Sequence, residues 1–146
     1  MNYIIIEGSA GPHSEFPQDK IAAFLFNHLE KYGDPLEEIA ACLDYVFHPD
    51  KGGFVAIAHD DDSEIHGAVI INNTGMSGYI PENILVYIAV NSAMRGQGLG
   101  QNLMQMALEN AVGNVALHVE ADNPAKRLYE RLGFTNKYLE MRYTKS

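Results

Sequence analysis

The sequence predicts a mixed α/β layer fold with the element order β-αα-ββ-β-α-β-α-β, and three observations support it. The 146 residues are 47% hydrophobic and 20% charged, which is typical of a folded globular chain. Two short β-branched runs flank a turn at residues 60–63, as in a hairpin. An apolar run then leads through a glycine-rich turn into a helical pattern, which indicates a strand-to-helix unit. We expect one domain over residues 1–146.

The first half of the chain predicts one strand followed by two helices. Tyr3–Glu7 is short and β-branched, which is typical of a strand. The apolar spacing over Pro17–Tyr32 predicts a helix. Asp34 is then the expected N-cap of a second helix over Pro35–Phe47, with Glu37 as the acid of a capping box.

The remaining elements follow from apolar runs and helical spacing. Ile84–Val90 is apolar without alternation, as expected for a strand covered on both faces. The other expected elements are strands at Phe54–His59, Ile65–Ile71, Val115–Ala121 and Tyr138–Tyr143, and helices at Gly98–Ala111 and Pro124–Leu132.

The net charge of −9 is unevenly distributed along the chain. Residues 1–75 carry 13 acidic and 3 basic side chains, whereas residues 76–146 carry 6 and 7. An acidic chain repels a phosphate backbone, so no nucleic-acid partner is expected. The uneven distribution of charge indicates that the acidic first half faces a cationic ligand and the near-neutral second half faces an anionic one. A solubilising surface is the alternative interpretation.

Cysteine and histidine usage excludes several kinds of site. Cys42 is the one cysteine, so no intramolecular disulfide or CxxC metal site forms, and a cytoplasmic location is expected. The histidines show no HxH or HExxH spacing, so no metal is expected. No apolar run reaches the ~18–20 residues of a membrane span, and the N-terminus lacks the basic start of a signal peptide. No membrane partner is therefore expected.

The turn between the apolar strand and the next helix carries the most chemical information. Its glycines let backbone N–H groups approach a ligand, and the helix start adds free N–H donors and a positive dipole end. This combination favours a phosphate or pyrophosphate, and Arg95 adds positive charge. The dinucleotide pattern fails because Gln101 stands where glycine is required, and no P-loop Gly-Lys-Ser/Thr is present. A plain tight turn is the alternative.

This segment resembles the acyl-CoA-binding motif of the GNAT superfamily of N-acetyltransferases. That motif, Gln/Arg-x-x-Gly-x-Gly/Ala, is matched by Arg95, Gly98 and Gly100. The resemblance implies a mixed, mostly antiparallel central sheet flanked by helices, with acetyl-CoA as cosubstrate. A second match to the superfamily follows at Asn123-Pro124-Ala125, Tyr129 and Gly133-Phe134.

The resemblance also implies how acetyl-CoA would be held. The backbone of Ile88, Ala89 and Val90 would pair with the pantetheine arm. Asn123 would contact the same arm, although the spacing to Ala125 is one residue shorter than in many members, which makes Asp122 the alternative. The pyrophosphate would be held by the backbone of Gly96, Gln97, Gly98, Leu99, Gly100 and Gln101, with Arg95 nearby. Candidates for the 3′-phosphate are Lys126, Arg127 and Arg131, each with a solvated helix face as the alternative.

The reaction implied by the resemblance is direct attack of a primary amine on the thioester. Tyr129 is expected to protonate the leaving thiolate, and the N–H of Val90 to face the oxyanion. A core tyrosine is the alternative for Tyr129. The histone-acetylating branch has a glutamate at the position of Ile84, so that base is not carried over. The remaining candidates for the base are Glu82, His118 and Glu120.

The acceptor is expected to be a cationic amine-bearing small molecule or peptide that the first half of the chain binds. Polyamine, aminoglycoside, amino acid and protein N-terminus stay open, as do a monomer and a homodimer. The alternative function is a catalytically inactive acyl-CoA-binding or sensing module of the same fold. A toxin-like member acting on charged tRNA is disfavoured by the charge. Candidates to attract the amine are Asp34, Glu37, Glu38, Asp44 and Asp50, with Tyr45 beside its apolar stem.

Overall fold

The computed structural model describes residues 1–146 and places five strands in one sheet between two pairs of helices. Short 3₁₀ turns cover residues 8–10, 30–32 and 92–94. The strands are β1 (Asn2–Glu7), β2 (Gly53–His59), β3 (Ile65–Asn73), β4 (Asn83–Val90) and β5 (Val115–Leu117), and the helices are α1 (Gln18–His28), α2 (Leu36–Phe47), α3 (Leu99–Asn110) and α4 (Ala125–Arg131).

The sheet is antiparallel except at one edge. Its strand order is β1-β2-β3-β4-β5, and only β4 and β5 run parallel. The β2–β3 hairpin closes because the Asp60 carboxylate accepts the backbone N–H groups of Asp62 and Glu64 at 2.9 and 3.0 Å. The predicted mixed, mostly antiparallel sheet flanked by helices is confirmed.

Successive side chains of the central strands pack against different helices. Val55 and Ile57 of β2 belong to the cluster formed with α1 and α2, whereas Phe54 and Ala56 belong to the cluster formed with α3 and α4. Because both faces are covered, β2 is buried from Gly53 through Ala58. In β4, by contrast, buried residues alternate with half-buried ones. Half of the β4 side chains therefore keep partial contact with solvent.

The middle of β4 contains a β-bulge, and its partner β5 ends nearby. Ile70 pairs with Tyr87 while Ile71 pairs with Leu85, so Val86 is the extra residue. On the other side, β5 pairs with β4 only as far as Leu85. The strands part there, and β4 continues to Val90 without a neighbour on that edge.

The first predicted helix is too long at its C-terminal end. α1 ends at His28 instead of Tyr32, because Glu30 adopts a left-handed φ of +57° that interrupts the helix. Residues 30–32 form a separate 3₁₀ turn. Two residues of this turn contact Asp122 in the second half of the chain. Lys31 forms an ion pair with the Asp122 carboxylate at 3.1 Å, and the Tyr32 hydroxyl donates to the Asp122 carbonyl at 3.2 Å.

The predicted N-cap of the second helix is wrong. α2 begins at Leu36 after Pro35, and no side chain caps its first N–H groups. The carboxylate of Asp34 instead accepts the hydroxyl of Tyr87, a residue that the local sequence pattern could not pair with it. The tertiary contact thus replaces the local one.

The last two predicted strands are overestimated. β5 ends at Leu117 instead of Ala121. The final strand expected at Tyr138–Tyr143 does not form, so the observed order is β-αα-βββ-α-β-α. Tyr138, Leu139, Met141 and Tyr143 are 79–91% exposed. An alternating pattern becomes a strand only where a sheet edge pairs with it, and here none does.

Candidate active site

The turn between β4 and α3 has the geometry of an anion site. Gly96 and Gly98 have φ of +83° and +77°, a left-handed conformation that other residues rarely adopt. Gly98 is the N-cap of α3, and no side chain caps the helix. The first N–H groups of α3 therefore lack intrahelical acceptors, and the positive end of the helix dipole lies with them. Both features favour a bound phosphate.

A cleft of about 270 Å³ opens beside this turn. A Cβ added at Gly100 would lie 3.6 Å from Cδ2 of Leu128 and 3.7 Å from Cγ2 of Val90, which are ordinary contacts. Protein packing therefore does not demand glycine at this position, but a larger side chain would extend into the cleft. The lining residues are Val90, Met94, Arg95, Gly96, Gly98, Leu99, Gly100, Gln101, Leu128 and Arg131.

Two arginines supply positive charge to the cleft. Arg95 and Arg131 both line it, and Nη2 of Arg95 lies 3.2 Å from Oε1 of Glu30. Both partners of this ion pair are exposed, so the pair contributes little to stability. Lys126 and Arg127 do not line the cleft. Of the three predicted 3′-phosphate candidates, only Arg131 therefore lies beside the glycine turn.

The edge of β4 that β5 leaves carries free backbone groups. The N–H of Asn91 donates to the carbonyl of His66 on β3 at 2.8 Å. Because backbone groups alternate between the two edges of a strand, those of Ala89 also point to β3, and those of Ile88 and Val90 point to the open edge. Of the predicted tripeptide, Ile88 and Val90 are thus positioned to pair with an extended, amide-bearing chain.

Tyr129 of α4 is buried on the α3 and α4 side of the sheet and is not among the residues that line the cleft. It is 6% exposed, and its ring packs edge-on against Phe134 with the centroids 6.0 Å apart. It belongs to the apolar cluster that also contains Leu85 and Ile88 of β4. Burial raises the pKa of the Tyr129 hydroxyl to about 12, so the phenol stays protonated at neutral pH. It is therefore a hydrogen-bond donor.

The carboxylate of Glu82 is committed to the backbone. It accepts the N–H of Asn114 at 2.7 Å and the N–H of Gly78 at 3.0 Å. These hydrogen bonds lower the pKa of Glu82, which makes it a weaker base. Its location at the N-terminal end of β4 also separates it from the glycine turn by the length of that strand.

The two other candidate bases lie beyond the end of β5. His118 and Glu120 are both exposed, and the chain there is no longer a strand. Neither forms a side-chain hydrogen bond or an ion pair within the protein. The predicted shared strand face is therefore absent, although both side chains stay accessible to an acceptor.

Asn123 and Asp122 have different roles at the start of α4. The side-chain oxygen of Asn123 accepts the N–H of Ala125 at 2.9 Å and thereby supports the first turn of the helix. Its amide nitrogen makes no hydrogen bond within the protein, so it is available as a donor. The Asp122 carboxylate is paired with Lys31. Asn123 is accordingly better placed than Asp122 to bind a ligand.

Sequence reasoning missed the pair formed by Tyr87 and Asp34. The Tyr87 hydroxyl donates to Oδ2 of Asp34 at 2.5 Å from the face of the sheet that packs against α1 and α2. The available signal was one hydroxyl within the otherwise aliphatic run Ile84–Val90. A buried hydroxyl requires a partner, and the partner came from a distant segment.

No three His, Cys, Asp or Glu side chains are grouped to hold a metal ion. None of the helices has both the length and the apolar character required to cross a membrane.

Comparison with protein families places this geometry among acetyltransferases. The family model described as an acetyltransferase (GNAT) domain matches residues 51–136, which is more than half of the chain. A mycothiol acetyltransferase from Corynebacterium glutamicum (strain R) is 34% identical over 107 residues, covering 61% of this chain and 37% of the relative. The chain spans about a third of the length of the curated relatives that it matches.

Solved structures with low sequence identity share the fold. A transcriptional regulator from Bacillus halodurans C-125 superposes with a TM-score of 0.71 at 20% identity, covering 99% of this chain and 100% of that one. A ribosomal-protein-alanine N-acetyltransferase from Brucella melitensis biovar Abortus 2308 gives a TM-score of 0.62 at 16% identity, covering 99% and 100%.

Proposed function

Since the chain belongs to the acetyltransferase (GNAT) family, we propose that it transfers an acetyl group from acetyl-CoA to a primary amine of a small molecule or peptide. The observation that carries the proposal is the continuity of the site. The open edge of β4 leads directly into the glycine turn and the uncapped start of α3. An amide-bearing arm followed by a pyrophosphate matches these two surfaces in that order.

The residues present fit acetyl-CoA. The backbone groups of Ile88 and the C=O of Val90 would pair with the amides of the pantetheine arm, and the amide nitrogen of Asn123 would donate to the same arm. The N–H groups from Gly96 to Gln101 would bind the pyrophosphate, assisted by Arg95. Gly100 leaves the space that a ligand needs next to Val90 and Leu128.

Two donors suit the charges that acetyl transfer creates. When bound, acetyl-CoA supplies an activated thioester. The N–H of Val90 would donate to the carbonyl oxygen as negative charge develops on it. The Tyr129 hydroxyl would donate to the departing sulfur. Because the phenol pKa of about 12 exceeds the ~8.5 of an ordinary thiol, a hydrogen bond to the thiolate is favoured over complete proton transfer.

The attacking amine must lose a proton, because an ammonium with a pKa near ~10.4 is not a nucleophile. Glu82, His118 and Glu120 stay predictions for the base. His118 and Glu120 are exposed beyond the end of β5 and are therefore open to solvent. The hydrogen-bonded, low-pKa carboxylate of Glu82 is less suited to this step.

Release of free thiol from acetyl-CoA tests the proposal. The wild-type protein is incubated with a panel of primary amines, and thiol is measured against a no-amine control. Amine-dependent release supports transfer. Acetyl-CoA binding without release from any amine would favour the inactive acyl-CoA-binding module instead. The cytoplasmic location and the monomeric or homodimeric state stay predictions.

A further inference from the structure

Tyr87 and Asp34 form a hydrogen-bonded pair beside the point where β4 and β5 part. Tyr87 is the first residue after the bulge, is 8% exposed, and packs in the cluster formed with α1 and α2. Tyr129 belongs to the cluster on the opposite face of the sheet. An acceptor that approaches from the α1 and α2 side therefore meets the Tyr87–Asp34 pair next to the open edge of β4.

The carboxylate of Asp34 is available to a ligand. It does not cap α2, and only one of its oxygens, Oδ2, accepts a hydrogen bond, from Tyr87. No lysine, arginine or histidine lies within ion-pair distance of it, unlike Glu30, which is paired with Arg95. The residue is exposed. A fixed, unneutralised negative charge thus stands beside Tyr87, the residue that precedes Ile88 on β4.

Neighbouring groups add to this negative field. Burial, the hydrogen bond to Asp34 and electrostatic repulsion from Asp34 and Glu38 hold the pKa of Tyr87 well above its usual range. Two carboxylates are therefore close to the same hydroxyl, which remains a neutral donor. Repulsion from Asp34 also contributes to the raised pKa of Cys42. Neither Asp34 nor Glu38 is neutralised by a basic side chain, so both carboxylates would attract a cation placed here.

A second polar atom on this side of the sheet has no partner. The Asn72 amide nitrogen donates to Sγ of Cys42 at 3.4 Å, while its Oδ1 is buried and accepts no hydrogen bond. Such a buried acceptor normally has a donor. Cys42 packs in the same cluster as Tyr87, so this unpartnered acceptor lies on the side of the sheet that carries the Tyr87–Asp34 pair.

We propose that Asp34 binds a positively charged group of the acceptor, with Tyr87 as the positioning residue that holds the carboxylate. This inference rests on the proposed acetyl transfer. The attacking nitrogen must be neutral, whereas a group anchored by a carboxylate must stay charged. One nitrogen cannot do both at once. The protein should therefore prefer acceptors with a second ammonium, as in a diamine or polyamine.

The test compares n-butylamine with butane-1,4-diamine as acceptors. Both offer the same primary amine on the same four-carbon stem, and only the diamine has a second charge. For the wild type, kcat/KM should be at least about tenfold higher for the diamine, the ratio that ~1.4 kcal/mol of binding provides. In Asp34→Asn, this ratio should fall to between one and three, mainly through KM.

Two variants complete the test. Asp62→Asn removes an equal charge from the exposed turn between β2 and β3, where the Asp62 side chain makes no hydrogen bond within the protein, so the preference should persist. Tyr87→Phe keeps the Asp34 carboxylate but removes the hydrogen bond that orients it. The preference for the diamine should therefore fall to a value between those of wild type and Asp34→Asn, while the acetyl-CoA Kd stays unchanged. The unchanged Kd also shows that each variant folds.

The outcomes separate the two proposals. No preference for the diamine in the wild type, or an equal preference in Asp34→Asn, would overturn the role of Asp34 while acetyl transfer stands. Thiol release from neither amine, with acetyl-CoA still bound, would overturn the inference about the acceptor. Absence of acetyl-CoA binding would contradict the proposed function itself.

Discussion

The Glu82 carboxylate accepts a 2.7 Å hydrogen bond from the backbone N–H of Asn114, which joins the start of β4 to the start of β5. The second bond, from Gly78, fixes the loop before β4. The two parallel strands thus begin in register at one end and part at the other. Glu82 contributes to the shape of the site from a distance, by fixing where the strands pair.

The variant Glu82→Gln distinguishes this structural role from that of a base. We expect a lower Tm with kcat changed by no more than about twofold. Because the folded-state pKa of Glu82 is lowered, its stabilising effect is present above the ordinary glutamate pKa and is lost as pH falls through the folded value. The variant should therefore differ from wild type at pH 7 and converge with it in acid. A kcat loss of about 100-fold at unchanged Tm would instead assign the base to Glu82.

Replacing Tyr129 with phenylalanine removes the donor and keeps the ring. We expect kcat to fall by about 10²-fold or more, a typical loss for a group that acts on a departing atom. The acetyl-CoA Kd should change less than twofold, because the hydroxyl is proposed to act on the sulfur only as it leaves. An unchanged kcat would contradict a role for Tyr129 in the reaction and would favour the alternative that it is a core tyrosine.

High pH gives an independent check on the burial of Tyr129. Its pKa of about 12 is above the ~10 of a free tyrosine, so ionisation opposes folding. The stability contribution is complete below pH 10 and is lost as pH rises toward 12. Denaturant unfolding at pH 8 and 10.5 should show a larger decrease in stability for wild type than for Tyr129→Phe. Equal decreases would contradict the buried location of the phenol.

Arg131 and Arg127 form a matched pair for testing phosphate recognition. Both lie on α4 or at its end, but only Arg131 lines the cleft. We expect Arg131→Gln to weaken binding of CoA by about tenfold, and that of dephospho-CoA less, if its partner is the 3′-phosphate. Arg127→Gln should leave both Kd values unchanged. Equal losses for the two ligands would assign Arg131 to the pyrophosphate.

Cys42 should be unreactive in the folded protein. It is 9% exposed, and burial raises its thiol pKa to about 11. Since the thiolate is the reactive form, alkylation by iodoacetamide at pH 8 should be at least about 100-fold slower than in urea-unfolded protein. The folded rate should rise about tenfold per pH unit up to pH 10. Equal rates in folded and unfolded protein would contradict this burial.

Patterns confined to one segment predicted most of the fold and of the glycine turn. The β-branched runs around residues 60–63 form the expected hairpin, and the strand, turn and helix around Gly98 lie in the expected order. Such signals depend on neighbours in the chain. They identify an element without fixing its partners in space.

The errors arose where a distant contact decides the outcome. Asp34 has the local sequence pattern of an N-cap, yet its carboxylate accepts a hydrogen bond from Tyr87, which is 53 positions away in the chain. The C-terminal segment alternates like a strand, but no sheet edge pairs with it. The separation of β4 from β5 lies next to a bulge at Val86, in a run where every residue favours a strand.

The most direct measurement is thermal unfolding with and without acetyl-CoA, on wild type and on Gly100→Leu. Ligand at 100 times its Kd adds ~2.7 kcal/mol, which for this chain length raises Tm by very roughly 5–11 °C. We expect that rise for wild type and none for Gly100→Leu, because a Cβ at this position makes only ordinary contacts and a longer side chain would extend into the cleft. No shift for wild type at millimolar acetyl-CoA, supported by calorimetry, would contradict the assignment of the β4–α3 cleft to this cosubstrate.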